Sequence, residues 1–196
     1  MNALELMRTR RSTRKFQERP VDQELIDQIV EAGRHAPSGG NSQTTPFFVI
    51  TDRAVMDELA AVVKNEFSQR EVIPGMYRSM ANSIRASKGE KYVFHYDAPV
   101  FIVTANDKDY GNNMADCACV LENMMLMANA LDLGSCWINQ LKWLNDTEAV
   151  NAIFRRYGLK ENERIYGAVS IGYPDTEDGL PNRVPLERTG NPVTYI

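Results

Sequence analysis

From Asn113 to Leu133 the chain reads as one helical segment that is apolar nearly all the way round. Met114, Ala115, Ala118, Val120, Leu121, Met124, Met125, Leu126, Met127, Ala128 and Leu131 leave almost no polar stripe. A helix of that kind must be covered on most sides. Asp116, Glu122, Asn123 and Asn129 interrupt it, and no uninterrupted apolar run approaches the ~18 residues that a membrane span requires. The segment is therefore read as a central helix, covered by its own sheet on one side and by a second subunit on another. That makes the chain a homodimer without a membrane partner.

The neighbouring segments supply the sheet. Pro99 to Ala105 is strongly apolar and is bounded by Asp97 and by Asn106-Asp107, the pattern of a strand buried on both faces. Pro46 to Thr51, Gly134 to Asn139 and Arg164 to Gly172 are further strand candidates. Helices are expected over Leu4 to Arg10, Val21 to Gly33 with Asp22 as N-cap, Arg53 to Phe67, and Thr147 to Tyr157. Between about Ser68 and Tyr96 the periodicity breaks down, with a weak helical tendency over Arg78 to Ser87. Met76, Tyr77, Tyr92, Phe94 and Tyr96 are scattered through this excursion, either as a lid over a planar ligand or as local core. The tail from Pro174 is rich in proline and charge yet ends in Val193-Thr194-Tyr195-Ile196, a β-prone tip suited to a sheet edge, the partner's included. At 196 residues the chain is expected to form one domain, 1–196, with 68–96 as a lid-like excursion and 174–196 as a C-terminal extension.

Charge and residue usage narrow the function. A formal net charge of −4 and a pI near 5.3 argue against a nucleic-acid surface, which needs a broad basic face. Met1 to Met7 contain no continuous apolar stretch of the signal-peptide kind, so a cytoplasmic protein is expected. Cys117, Cys119 and Cys136 form no C-x-x-C pair and are expected as reduced thiols. His35 and His95 lack metal-ligand spacing, so no protein metal site is expected.

Two motifs carry chemistry. R-R-S-T-R-K-F, from Arg10 to Phe16, concentrates guanidinium and hydroxyl donors on a scale that suits one phosphate. The alternative for these arginines is a solvated basic turn at a helix end. A-P-S-G-G-N-S-Q, from Ala36 to Gln43, is a tight polar loop between a helix and a strand; by itself it could be an ordinary turn. Neither G-x-G-x-x-G nor G-x-x-x-x-G-K-[ST] occurs, so a bound phosphate would be held by side chains.

Together with S-I-G-Y-P (Ser170 to Pro174) and N-R-V-P-L-E (Asn182 to Glu187), these motifs stand in an order and spacing that resembles the FMN-dependent nitroreductase family over essentially the whole chain. The resemblance implies an α+β fold: a mixed, mostly antiparallel central sheet flanked by helices, an α/β/α sandwich in a domain-exchanged homodimer. It implies that Arg10 and Ser12 reach the FMN phosphate and ribityl chain with Arg11 beside them, and that Arg14 faces the pyrimidine end of the ring. Arg183 would complete the phosphate cradle, with Asn182 where many relatives carry a second basic residue. Pro37, Ser38, Gly39 and Asn41 would be laid against the flavin by the second subunit, and Ile138, Asn139 and Gln140 would offer backbone donors to its N5 and O4. The implied activity is ping-pong hydride transfer from NADH or NADPH through flavin N5 to a nitroaromatic, quinone or similar planar acceptor. No side-chain acid, base or nucleophile is demanded. Rivals are a flavin enzyme of the same fold with other chemistry, such as reductive dehalogenation or flavin destruction, and a flavin-binding protein without turnover.

Overall fold

The central sheet has four strands, β1 (Phe47–Ile50), β2 (Val100–Asp107), β3 (Gly134–Ile138) and β4 (Glu163–Gly172), in the order β1-β2-β4-β3 with every neighbouring pair antiparallel. The computed structural model describes residues 2–196. Among them the parallel component of the expected mixed sheet is a single bridge, Ser12 to Ser135. Seven α-helices among the described residues cover the faces: α1 (Ala3–Thr9), α2 (Gln23–Arg34), α3 (Arg53–Ser68), α4 (Arg78–Ser87), α5 (Asn113–Ala130), α6 (Gln140–Trp143) and α7 (Glu148–Arg155).

β2 explains the layering. Successive side chains of a strand point to opposite faces, and here Val100 and Ile102 enter one core while Phe101, Val103 and Ala105 enter the other. The first core is closed by Ile26 and Ile29 of α2 and by Val120, Leu121, Met124 and Met125 of α5. The second is closed by Met56, Leu59, Val63 and Phe67 of α3, Ile84 of α4, Leu141 of α6 and Phe154 of α7. The result is an α/β/α sandwich. β4 also serves both cores, Ala168 in one and Val169 and Ile171 in the other, and its register shifts opposite Thr104 and Ala105, which pair with Gly167 and Ile165 and leave Tyr166 as the extra residue. That bulge turns Ile165 to the same core as Ala168.

Several boundaries differ from those read in the sequence. α2 starts at Gln23; Asp22 occupies the N-cap position without a side-chain cap bond. α5 ends at Ala130 because Asp132 adopts a left-handed φ of 61°. The 68–96 segment contains a true helix, α4, whose Ala81 and Ile84 are buried. Phe94 is core, packed edge-on to Phe101 at 5.5 Å, whereas Tyr77 is exposed and meets Trp143 edge-on at 6.0 Å. No helix among the described residues is long and apolar enough to cross a membrane. On α5, Met114, Ala115 and Ala130 are exposed and Ala118, Cys119 and Leu126 half-buried, so one apolar stripe of the helix is not covered by its own chain.

His95 is sealed between Phe94 and Phe101 with no solvent exposure. Its Nε2 lies 3.3 Å from the Met56 carbonyl and so carries the proton, while Nδ1 has no partner among the described residues. Burial lowers its pKa from the ordinary 6.5, with Asp97 and the Met56 carbonyl opposing. As pH falls below about 6.5 the unfolded chain therefore takes up a proton that the folded chain refuses. Folded stability should drop there by up to about 1.4 kcal/mol per pH unit, and be restored above the unfolded pKa. Urea unfolding from pH 7.5 to 5.0 checks this: His95→Gln should flatten the pH dependence, and an unchanged slope would assign the acid loss elsewhere.

Candidate active site

α1 is capped at its start by the Asn2 side chain, which accepts from Glu5 N–H at 2.9 Å, and it ends where Arg10 turns to extended geometry at φ −63°, ψ 124°. From there the chain runs beside the sheet. Thr13 N–H donates to Ser135 O at 2.9 Å, Gln17 N–H to Tyr173 O at 2.9 Å, and Asp175 N–H to Lys15 O at 3.0 Å. An extended segment alternates its side chains, so Arg10, Ser12 and Arg14 gather near Cys136 of β3, while Arg11 donates to Val184 O at 2.7 Å and Thr13 lies over Gly134. Three donors to an anion thus share one face. Arg10 also lies 3.9 Å from Glu122 of α5, a long and partly exposed pairing.

The surrounding titratable groups are unsuited to acid–base work. Burial raises the pKa of the Cys136 thiol, with Arg14, Ser12 and Arg10 opposing, and burial pushes the Cys117 thiol up to about 12. Both stay protonated at neutral pH. His35 is exposed beside Glu31 at 3.0 Å, remote in sequence and setting from the arginines. No group of three or more His, Cys, Asp or Glu among the described residues is placed to hold a metal ion.

Arg14 and Gln140 line one cavity of about 920 Å³ together with Asn82, Ser83, Tyr92 and Tyr96. Ile138 ends β3, and Asn139 and Gln140 open α6, whose first N–H groups lack intrahelical acceptors. Their side chains are engaged: Asn139 Oδ1 accepts from Trp137 Nε1 at 2.8 Å, and Gln140 Nε2 donates to Ser83 Oγ at 3.1 Å. The Tyr92 hydroxyl is buried near the same pair without forming a hydrogen bond; burial raises its pKa, Ser83 and Gln140 opposing, so it remains a neutral donor. Asn82 and Ser83 were not singled out in the sequence, where only their place on α4 beside the buried Ala81 and Ile84 hinted at a role.

The other expected residues lie apart. Pro37 and Ser38 border a separate cavity of about 290 Å³ with Gly33, Asp116 and Val120. Ser38 Oγ accepts from Gln43 N–H at 3.1 Å, and Gly39 opens a short 3₁₀ turn ending at Asn41. The fold does not bring this turn and the Arg14–Gln140 cavity together within one chain. Arg183 is folded onto the C-terminal end of α5, paired with Asp132 at 2.6 Å and donating to the Asn129 backbone carbonyl. The Asn129 amide in turn donates to Leu6 O at 3.2 Å, tying Arg183 to α1.

This arrangement has counterparts. The chain is similar to a nitroreductase with bound FMN from Bacteroides fragilis, with a TM-score of 0.85 at 29% identity over 100% of both chains. A nitroreductase with bound FMN from Desulfitobacterium hafniense matches with a TM-score of 0.79 at 26% identity, over 100% of this chain and 99% of that one. An NADH dehydrogenase of Thermus thermophilus is 28% identical over 192 residues, spanning 91% of this chain and 90% of its own. The sequence profile described as the nitroreductase family matches residues 7–173, from the end of α1 past the last strand of the sheet. With a match of that extent laid over an antiparallel sheet sandwiched by helices, the chain belongs to the nitroreductase family.

Proposed function

We propose that the protein is an FMN-dependent NAD(P)H oxidoreductase that reduces nitroaromatic, quinone or similar planar acceptors. The observation that carries this reading is the convergence of Arg10, Ser12 and Arg14 on one face of an extended segment, beside a cavity that Arg14 shares with Gln140. The donor set fits a single terminal phosphate: two guanidiniums and a hydroxyl, with no glycine-rich cradle for a dinucleotide. FMN is also what the Bacteroides and Desulfitobacterium relatives hold.

In this reading Arg10 and Ser12, with Arg11 beside them, hold the phosphate and ribityl chain, and Arg14 sets a positive charge against the pyrimidine end of the ring. Ile138, Asn139 and Gln140 offer backbone donors at the other edge. Arg183 reaches the phosphate only by exchanging its pairing with Asp132. FMN held there would supply the redox chemistry, hydride transfer between NADH or NADPH and the acceptor. The residues of this chain bind, orient and screen it from water.

The active form is a domain-exchanged homodimer. The separation of the Pro37–Asn41 turn from the Arg14–Gln140 cavity supports this, because a turn contributed by the partner would complete the site. The uncovered stripe of α5 and the exposed tip Val193, Tyr195 and Ile196 are the surfaces that a partner would bury, the tip along the open edge of β1.

Extraction and mass analysis of the bound chromophore tests the assignment, with FMN expected and FAD contradicting it. Arg10→Ala should weaken FMN binding by about 1.5–3 kcal/mol, the worth of a hydrogen bond to a charged group. An unchanged dissociation constant would return Arg10 to the role of a solvated helix end. Steady-state turnover with NADH or NADPH and a quinone should give parallel double-reciprocal lines, since donor and acceptor use one pocket in turn; intersecting lines would contradict it.

A further inference from the structure

The turn between Ser38 and Gln43 has a backbone that needs holding. Gly40, Asn41 and Gln43 lie at positive φ, 59°, 55° and 50°. Glycine takes that geometry freely and asparagine more readily than most residues, whereas glutamine keeps it where the surroundings hold it. Within the turn, Ser38 Oγ accepts from Gln43 N–H; from outside it, two side chains of the α5 region take hold. Gly39 N–H donates to both carboxylate oxygens of Asp116, at 3.2 and 3.3 Å, and the Tyr110 hydroxyl lies 3.2 Å from the Gly39 carbonyl oxygen. The same hydroxyl is 3.0 Å from Asp116 Oδ2 and 3.1 Å from the Ser42 hydroxyl. Tyrosine has one proton to donate, so the hydroxyl donates toward Asp116 or Gly39 and accepts from Ser42. With Ser42 N–H donating to the Gly39 carbonyl at 3.1 Å, a hydrogen-bonded cluster joins Gly39, Asp116, Tyr110 and Ser42. Any side chain on Gly39 would collide with Tyr110 and Asn112.

Asp116 is conspicuous for its setting. It is only 5% exposed, in the first turn of a largely apolar helix. A buried carboxylate is costly unless its oxygens are engaged, and an apolar residue would serve the helix's packing without that cost. What the carboxylate adds at this position is the grip on Gly39.

We propose that Asp116 and Tyr110 are positioning residues for the flavin site of the partner subunit: they hold the 38–42 turn in the shape in which Ser38 and Asn41 meet the cofactor. This rests on the reading that the turn completes the partner's site. The two residues act through the turn, and their loss is felt at a site whose arginines belong to the other chain.

The test uses the full-length dimer with FMN. The FMN dissociation constant and the midpoint potential of the bound flavin are measured for Tyr110→Phe, for Asp116→Asn, for the Ser38→Ala/Asn41→Ala double variant, and for that double variant combined with Tyr110→Phe. Urea unfolding of each FMN-free protein is run alongside. Tyr110→Phe and Asp116→Asn should each weaken FMN binding by about ten- to 150-fold, as the loss of a hydrogen bond to a charged group implies, and should shift the potential. Once Ser38 and Asn41 are truncated, Tyr110→Phe should cost less than about twofold further, because it acts through them. Additive costs, or unchanged affinity and potential with only the unfolding midpoint lowered, would overturn the proposal and leave the pair as fold stabilisers. If the Ser38→Ala/Asn41→Ala variant itself binds FMN with native affinity, the turn is outside the site, and the reading beneath the proposal falls with it.

Discussion

Gly134→Val should strip the protein of FMN while leaving it folded. A side chain at this position would put its Cβ 2.6 Å from Thr13 Oγ1 and 2.7 Å from Thr13 Cβ and Cγ2, closer than real contacts allow. β3 is fixed by its ladder to β4, so the segment that yields is the one carrying Thr13, which is joined to β3 by the Thr13 N–H to Ser135 O bond. Arg10, Ser12 and Arg14 sit on the opposite face of that segment and move with it. Misplacing at least two charge-assisted hydrogen bonds corresponds to about 3–6 kcal/mol of FMN affinity, on the order of 10²- to 10⁴-fold. Gly134→Ala should do less. Combining it with Thr13→Gly, which empties the space, should recover at least about tenfold of the loss through direct coupling of the two positions. Equilibrium titration of the apoprotein with FMN decides the matter: if Gly134→Val binds within about threefold of the parent, the segment is not set by its contact with β3.

The largest effect on stability is expected at Phe101. Its ring has no solvent exposure and packs against Phe94 at 5.5 Å and His95 at 5.8 Å, between the sheet and α3. Phe101→Ala should destabilise the fold by about 3–5 kcal/mol, the lost transfer energy plus the cavity left behind. That is a large part of the 5–15 kcal/mol typical of a folded domain. With a urea slope of about 2–3 kcal/mol/M, the midpoint should fall by roughly 1–2 M at equal protein concentration. A shift below about 0.5 M would show that the surrounding helices collapse into the space.

Patterns that depend on one segment's own residues were legible before the structure. The run Pro99 to Ala105 announces a strand covered on both faces, and β2 is interior to the sheet. The apolar circumference of 113–133 announces a helix covered on several sides, and α5 packs on β2, β3, β4, α2 and α1. What escaped depends on contacts between distant segments. The bulge at Tyr166 is flanked by Gly167, but a lone strand glycine equally marks close packing, which Gly167 also makes against Leu121 and Trp137. Gly134 looks like a strand start, and only Thr13 lying over it shows why no larger residue fits. Asp116 looked like an interruption of an apolar helix, and its use appears only when Gly39 arrives from 77 positions away. Arg183 could be matched to a motif, yet its pairing with Asp132 and Asn129 follows from where the tail lies along α5. α4 was faint in the sequence because Ser83 and Ser87 occupy its buried face along with Ala81 and Ile84, which blurs the apolar stripe.

The central claim is that each flavin site joins the arginines of one chain to the 38–41 turn of the other, and heterodimers test it directly. A chain carrying Arg10→Ala is co-expressed with a differently tagged chain carrying Ser38→Ala/Asn41→Ala, and the mixed dimer is isolated through both tags. If the sites are shared, one of them pairs the intact cluster of the second chain with the intact turn of the first, and the other collects both defects. The heterodimer should then bind about one FMN with parental affinity although each parent homodimer binds weakly at both sites. If cluster and turn belonged to one chain, every site in the mixed dimer would carry one defect, and a heterodimer with no FMN bound at parental affinity would contradict the account.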